Sequence, residues 1–190
     1  MPPNVKVTKD NLIAAALDVV RDGGVEALNA RSLAAKMGIS TQPIFSNFSG
    51  MSELMDELIR AAAALSRKYV DDEMKLQRHP PYKASGMGYI RFAREEKELF
   101  KLLFMQKRQK KEDRGFSDYD DIIRVIMKNL GIDRETALDF HLQMWIFVHG
   151  IATMAATDYL TFDEEHIAKM LTEVYNAMKS NYSLGKEKSV

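Results

Sequence analysis

The chain has no cysteine and no net charge. Without cysteine there is no disulfide framework, no thiolate metal site and no cysteine nucleophile. Its 27 lysines and arginines balance 27 aspartates and glutamates, and the pI is about 6.9. Nothing global therefore draws the protein to nucleic acid or to an acidic membrane, and any such affinity must come from local placement. Long apolar runs are missing too. The longest, Met144 to Ala156, contains His149 and falls well short of the ~20 residues that span a bilayer. The opening MPPNVKVTKD lacks the apolar core of a secretion signal, so a cytoplasmic protein is expected. No stretch alternates with period two over a useful length, which excludes an ordinary sheet, and no repeat appears.

What is present is an ordinary globular composition, 46% hydrophobic and 28% charged over 190 residues, enough for a sizeable core. Leu12, Ile13, Ala16, Leu17 and Val20 recur at helical spacing, and Gly23-Gly24 stops that helix. Asn29 can cap a second short helix ended by Gly38, and Ser40 can cap a third with Pro43 in its first turn. A longer amphipathic segment runs from Ser52 to about Gln77, where HPPY at His79 to Tyr82 ends it. Further helices are predicted near 83–94, 96–109, 118–130, 133–159 and 163–182, with a solvated, mobile loop from Lys107 to Ser117 and a frayed polar tail, SLGKEKSV. The class is all-α. The expected division is a head over 1–50, a connecting helix over 51–78, a larger helical domain over 79–184 and a tail over 185–190.

Ala34, Gly38 and Ile44 stand at the spacing of a helix-turn-helix, where two short helices cross at a small residue and turn through a left-handed backbone. The segment MGISTQPIFSNF would then place Thr41, Gln42, Ser46 and Asn47 outward, short hydrogen-bonders able to reach base edges and phosphates. A three-helix packing unit would use the same spacing without touching DNA. From Thr8 to Leu58, about a quarter of the chain, the sequence resembles the DNA-binding domain of the TetR family of bacterial transcriptional regulators. The residues that carry the resemblance are Ala14-Ala15-Ala16-Leu17, Gly23-Gly24, Ala27-Leu28, Arg31-Ser32-Leu33-Ala34, Met37-Gly38-Ile39-Ser40, Ile44-Phe45, Phe48 and Glu53-Leu54.

The resemblance implies a homodimer whose heads read a pseudo-palindromic double-stranded operator while the helical remainder binds a small hydrophobic effector. It places Arg31, Thr41, Gln42, Pro43, Phe45, Ser46 and Asn47 against DNA, with Ser32 and Ser40 beside them. Three positions depart from the family pattern. Phe45 stands for a tyrosine, leaving apolar contact with a thymine methyl in place of a phosphate hydrogen bond. Asn47 stands for a histidine, and Met51 for a lysine that touches phosphate, so low non-specific affinity is expected. Lys6, Lys9, Arg31 and Lys36 are the cations nearby, nearly cancelled by Asp10, Asp18, Asp22 and Glu26.

The segment Asp133 to Leu160 is apolar almost all round, so it should be buried on more than one side. Together with the stripe Ile167, Met170, Leu171, Val174, Tyr175 and Met178 it is assigned to the dimer interface. Trp145-x3-His149-Gly150 resembles a C-terminal variant of the family, with Gly150 suited to close helix packing. Candidates to line an effector cavity are Tyr89, Phe92, Phe100, Phe104, Phe140, Met144, Trp145 and His149, with Met105 and Met154. Plain core packing is the stronger reading for each of them, and for His149 a buried ring satisfied by a nearby carbonyl. His141 and His149 lie about two helical turns apart, too far to share an ion, and Asp163-x2-His166 occurs once where a di-iron bundle needs two such pairs of glutamate and histidine. The Ser-x-x-Lys pattern at Ser183 to Lys186 has no companion motifs, and no phosphate loop, dinucleotide fingerprint or nucleophile elbow is present. No enzyme activity, metal or cofactor is expected. The rivals are a DNA-binding architectural protein without inducer and a small-molecule carrier that lost operator binding.

Overall fold

The computed structural model describes residues 7–106 and 120–187. The loop expected from Lys107 to Ser117 lies outside the described residues. Nine α-helices and one 3-10 turn are present among the described residues, with no strand. They are α1 (Lys9–Gly23), α2 (Ala30–Met37), α3 (Gln42–Asn47), α4 (Met51–Lys75), α5 (Pro81–Glu95), α6 (Lys97–Phe104), α7 (Asp120–Leu130), α8 (Arg134–Ala156) and α9 (Glu164–Glu187). The all-α class is thus the observed one. The described residues divide into two compact units: those up to 67 with 95–106, and 68–94 with those from 120 onward. The long helix α4 contributes to both.

In the first unit each short helix is delimited by local chemistry. Thr8 caps α1 by accepting the Asn11 N–H at 3.2 Å. Gly24, at φ 75°, ends it and returns its N–H to the Val20 carbonyl at 2.8 Å. Helix α1 buries Leu12, Ala16, Val19 and Val20 on one face and packs on α2 and α6. Asn29 and Ser32 form a reciprocal capping box at α2, and Gly38 closes it in the left-handed conformation, φ 65°. At α3 the sequence reading is corrected. Thr41 rather than Ser40 precedes the helix, its backbone already near-helical, and it makes no side-chain cap. Ser40 stands exposed before it, and Pro43 sits in the first turn as predicted.

Leu33, Ile44, Phe48, Leu54, Leu58, Leu99 and Phe100 are all at or near zero exposure, each contributing roughly 1.5–3 kcal/mol by burial. Helix α6 groups with this unit, whereas the sequence division counts it with the second domain. Its tie is an Arg21–Glu96 fork, Nε and Nη2 donating at 2.7 and 2.9 Å, which raises the Arg21 pKa, chiefly through the Glu96 hydrogen bond.

In the second unit, α4 and α5 meet backbone to backbone. A Cβ on Gly88 would lie 2.7 Å from the Val70 Cα and 2.8 Å from the Tyr69 carbonyl oxygen. Gly86 in turn lets α5 settle against Val148 of α8 and Leu171 of α9. Ile123 and Ile126 of α7 pack with Ala137, Phe140 and Met144 of α8, flanked by Tyr82, Tyr175 and Tyr182. Helix α8 starts at an Asp133 cap, whose carboxylate accepts the Thr136 N–H at 2.9 Å, and it ends at Ala156, short of the expected 159. Helix α9 continues to Glu187, beyond the expected 182 and into the tail read as frayed. Within one chain α8 is not covered on all sides: Leu142 is 37% and Ile146 58% exposed. A Cβ on Gly150 would meet nothing within 4 Å, so the close packing expected there does not occur among the described residues of one protomer.

Candidate nucleic-acid interface

Helices α2 and α3, joined through Gly38 and anchored by Leu33, Ala34 and Ile44, present a small polar surface with one large apolar group. Arg31, Gln42, Phe45 and Ser46 are exposed, and Thr41, Pro43 and Asn47 are half-buried. Phe45 leaves 53% of its surface to solvent, although it belongs to a six-residue helix that otherwise turns Ile44 inward.

The polar side chains differ in what they have left to offer. The Ser32 hydroxyl accepts the Asn29 N–H at 3.0 Å and donates to the Ala27 carbonyl at 2.7 Å, so it serves the cap of α2. Ser46 Oγ donates to the Gln42 carbonyl at 3.0 Å, and Asn47 Nδ2 to the Pro43 carbonyl at 2.8 Å. These bonds to the preceding turn use donors that would otherwise face a phosphate, leaving acceptor oxygens and a second amide hydrogen on Asn47. Thr41 makes no side-chain cap, and the Gln42 amide has no side-chain partner among the described residues.

Charge is similarly pre-committed. Lys9 donates to Glu53 at 2.7 Å and lies 5.0 Å from the centre of the Phe48 ring. That bond, with the Ser49 N–H, holds the Glu53 carboxyl down to about 2. Lys36 donates to Asp22 at 2.8 Å, which raises its pKa. Among the described residues of α1–α3, Arg31 is the cation without an ion-pair partner. Lys6 lies outside the described residues.

Several of the residues expected around an effector cavity meet in pairs or clusters within their own units. Tyr89, Trp145 and His149 form one cluster: the Tyr89 hydroxyl is 2.9 Å from His149 Nδ1, and Trp145 stacks on the imidazole at 4.7 Å and 14°. This ring thus meets a tyrosine hydroxyl, and partial burial lowers its pKa. Phe140 and Met144 belong to the α7–α8 core, and Phe92, at 0% exposure, packs edge-on to Tyr69 at 5.5 Å. Phe100 and Phe104 lie together in the first unit, ring centres 5.1 Å apart. Met105 is exposed there and Met154 half-buried on α8. An open groove of about 270 Å³ lies at Gln143, Met178, Asn181 and Tyr182. A cleft of about 10 Å³ lies between Met87, Ile90 and Ile167 and the ionic side chains of Arg91 and Arg94.

That second site was missed in the sequence. Glu73 is 3% exposed and binds Arg78 and Arg91. Its signal was available, because Glu73 continues the buried stripe of α4 through Leu58, Ala62, Ser66 and Tyr69 at helical spacing. No group of three or more histidines, aspartates or glutamates placed to hold a metal occurs among the described residues. No described helix is long and apolar enough to cross a membrane.

Residues 82–178 match the family model described as "Tetracyclin repressor-like, C-terminal domain". The chain belongs to this family of TetR-like regulators. Two solved structures from Rhodococcus sp. RHA1 share its fold. One, a protein of unknown function, is 21% identical with a TM-score of 0.74, over 95% of this chain and 98% of its own. The other, a TetR-like transcriptional regulator, is 17% identical with a TM-score of 0.63, over 90% and 93%. No curated protein matches the chain.

Proposed function

We propose that the protein is a one-component transcriptional regulator of the cytoplasm, a homodimer whose α2–α3 heads read a pseudo-palindromic operator. The observation that carries this reading is the surface of α2–α3 itself. Arg31, Gln42 and Phe45 project uncommitted on two helices fixed by a capping box and a left-handed glycine. An arginine for phosphate, an amide for a base edge and an aromatic ring for a thymine methyl are three complementary modes of groove contact.

Dimerisation is assigned to α8 and α9, where Leu142 and Ile146 lie exposed beside an unobstructed Gly150. A helix of a second copy can approach that backbone closely. Repression relieved by a small hydrophobic effector is the family's mode, and in it the effector favours one of two head spacings. A DNA-binding protein without inducer is the second reading, favoured by the complete burial of Phe92 and Phe140. Selection of bound sequences from a random-duplex library tests the reading. Enrichment of a two-fold motif supports it, and no enrichment by folded dimer would refute it.

A further inference from the structure

Five charged side chains from α4, α5, α9 and the α4–α5 turn meet in the second unit. Arg78 Nη2 donates to Glu73 Oε1 at 3.0 Å, and Arg91 Nη1 lies 3.3 Å from Glu73 Oε2. Glu164, in the first turn of α9, accepts from Arg94 at 3.2 Å and lies 3.8 Å from Arg78. The buried carboxylate is well served. The guanidinium of Arg91 is not. Its ion pair with Glu73 at 3.3 Å and its hydrogen bond to the Tyr69 carbonyl at 3.4 Å exceed the roughly 2.7–2.9 Å of a good charge-assisted bond. Its Nε is buried and makes no hydrogen bond at all. The plane rests over the Tyr69 ring at 5.2 Å, so it cannot turn away without losing that contact.

A half-buried guanidinium whose buried Nε–H is unused and whose two contacts are stretched is a group whose bonding would improve with a bidentate oxyanion. The cleft beside it is walled by Met87, Ile90 and Ile167. At about 10 Å³ it holds about one water, so a larger guest must displace side chains. Glu164, half exposed on the opposite rim, is the movable one, and Met87 is a flexible wall.

We propose that this cluster is the recognition end of the effector site, and that the effector is a monocarboxylate with an apolar chain. The inference rests on the regulator reading above. The carboxylate takes the Nε edge of Arg91 and displaces Glu164 from Arg94, while the chain lies along Met87, Ile90 and Ile167. Binding draws Arg91 from Glu73, the last buried side chain of α4, and so loosens the end of the helix that leads to the DNA-binding head.

The test is titration calorimetry of the full chain with octanoate and with its neutral analogue octanamide, read on the protein alone. Octanoate should bind once per protomer, with octanamide at least tenfold weaker. Arg91→Gln and the more exposed Arg94→Gln should each weaken octanoate roughly ten- to hundredfold, as loss of a charged hydrogen-bond partner does. Glu73→Gln, which removes the competing carboxylate, should tighten it several-fold. Equal binding of acid and amide, no binding of octanoate, or indifference to Arg94→Gln would overturn the assignment, and unchanged or weaker binding by Glu73→Gln would overturn the competition. A protein that selects an operator yet ignores octanoate refutes this site alone, whereas one that binds octanoate and selects no operator refutes the regulator reading on which it rests.

Discussion

Replacing Arg31 by alanine removes the one cation of α1–α3 with no ion-pair partner among the described residues. Lys9 and Lys36 are held by Glu53 and Asp22 at 2.7 and 2.8 Å, though exposed pairs of this kind are weak and a phosphate can compete for them. If each head of a dimer uses Arg31 alone, two phosphates are neutralised, and log K should fall against log salt with a slope of about −1.8. That is roughly a twelvefold loss of affinity between about 50 and 200 mM salt. If both lysines also exchange their carboxylates for phosphate, six charges engage and the slope becomes about −5.4. The structure favours the shallow limit, because Lys9 is held by a ring as well as a carboxylate. Fluorescence anisotropy of a labelled selected duplex at three salt concentrations measures the slope. Arg31→Ala should bring it near zero, and Asp22→Asn should steepen it by freeing Lys36. A wild-type slope near −5, or one that Arg31→Ala leaves unchanged, would refute the reasoning.

Gly88→Ala should destabilise the protein by about 1–3 kcal/mol in urea unfolding, since the new Cβ strikes backbone that cannot turn aside. Gly150→Ala, with open space around it, should instead stabilise by up to about 1 kcal/mol through helix propensity. Gly150→Leu should leave the protomer folded but weaken dimerisation in analytical ultracentrifugation, and an unchanged dimer would remove α8 from the interface. Burial pushes His141 down to about 4, below the ~6.5 of an unfolded histidine, so the unfolded state binds the proton more readily. Stability from this residue is complete above pH ~6.5 and is lost as pH falls toward 4, by at most about 3 kcal/mol. His141→Phe should flatten that part of the profile, and an equal pH dependence in the variant would show that other groups set it.

The stops of α1 and α2 and the start of α2 were the most legible features, because their causes are local. Asn29, Gly24 and Gly38 each act on backbone within four residues. Ser40 misled for a local reason too: a side-chain cap needs an extended backbone at its own position, and Thr41 between it and α3 is already near-helical. Partners distant in sequence were not legible. The apolar pattern of α6 predicts a buried face but not what covers it, and the Arg21–Glu96 fork that ties it to α1 spans 75 residues. Large aromatics also fill cores best, and Phe92, Phe100 and Phe140 are fully buried, Phe100 in the first unit and Phe92 and Phe140 in the second. Glu73 was passed over because a glutamate reads as solvated, even on an apolar stripe. Its burial became intelligible only with Arg78 and Arg91 beside it.

The central claim is that α3 reads base edges, and a paired selection tests it most directly. Wild-type protein and Gln42→Ala are each used to select from the same random-duplex library at one salt concentration. The account predicts a two-fold motif for the wild type, and for the variant the same motif with one base position in each half-site relaxed, at a cost of about 1–3 kcal/mol per site. No motif for the wild type, or an identical motif for both proteins, would contradict it.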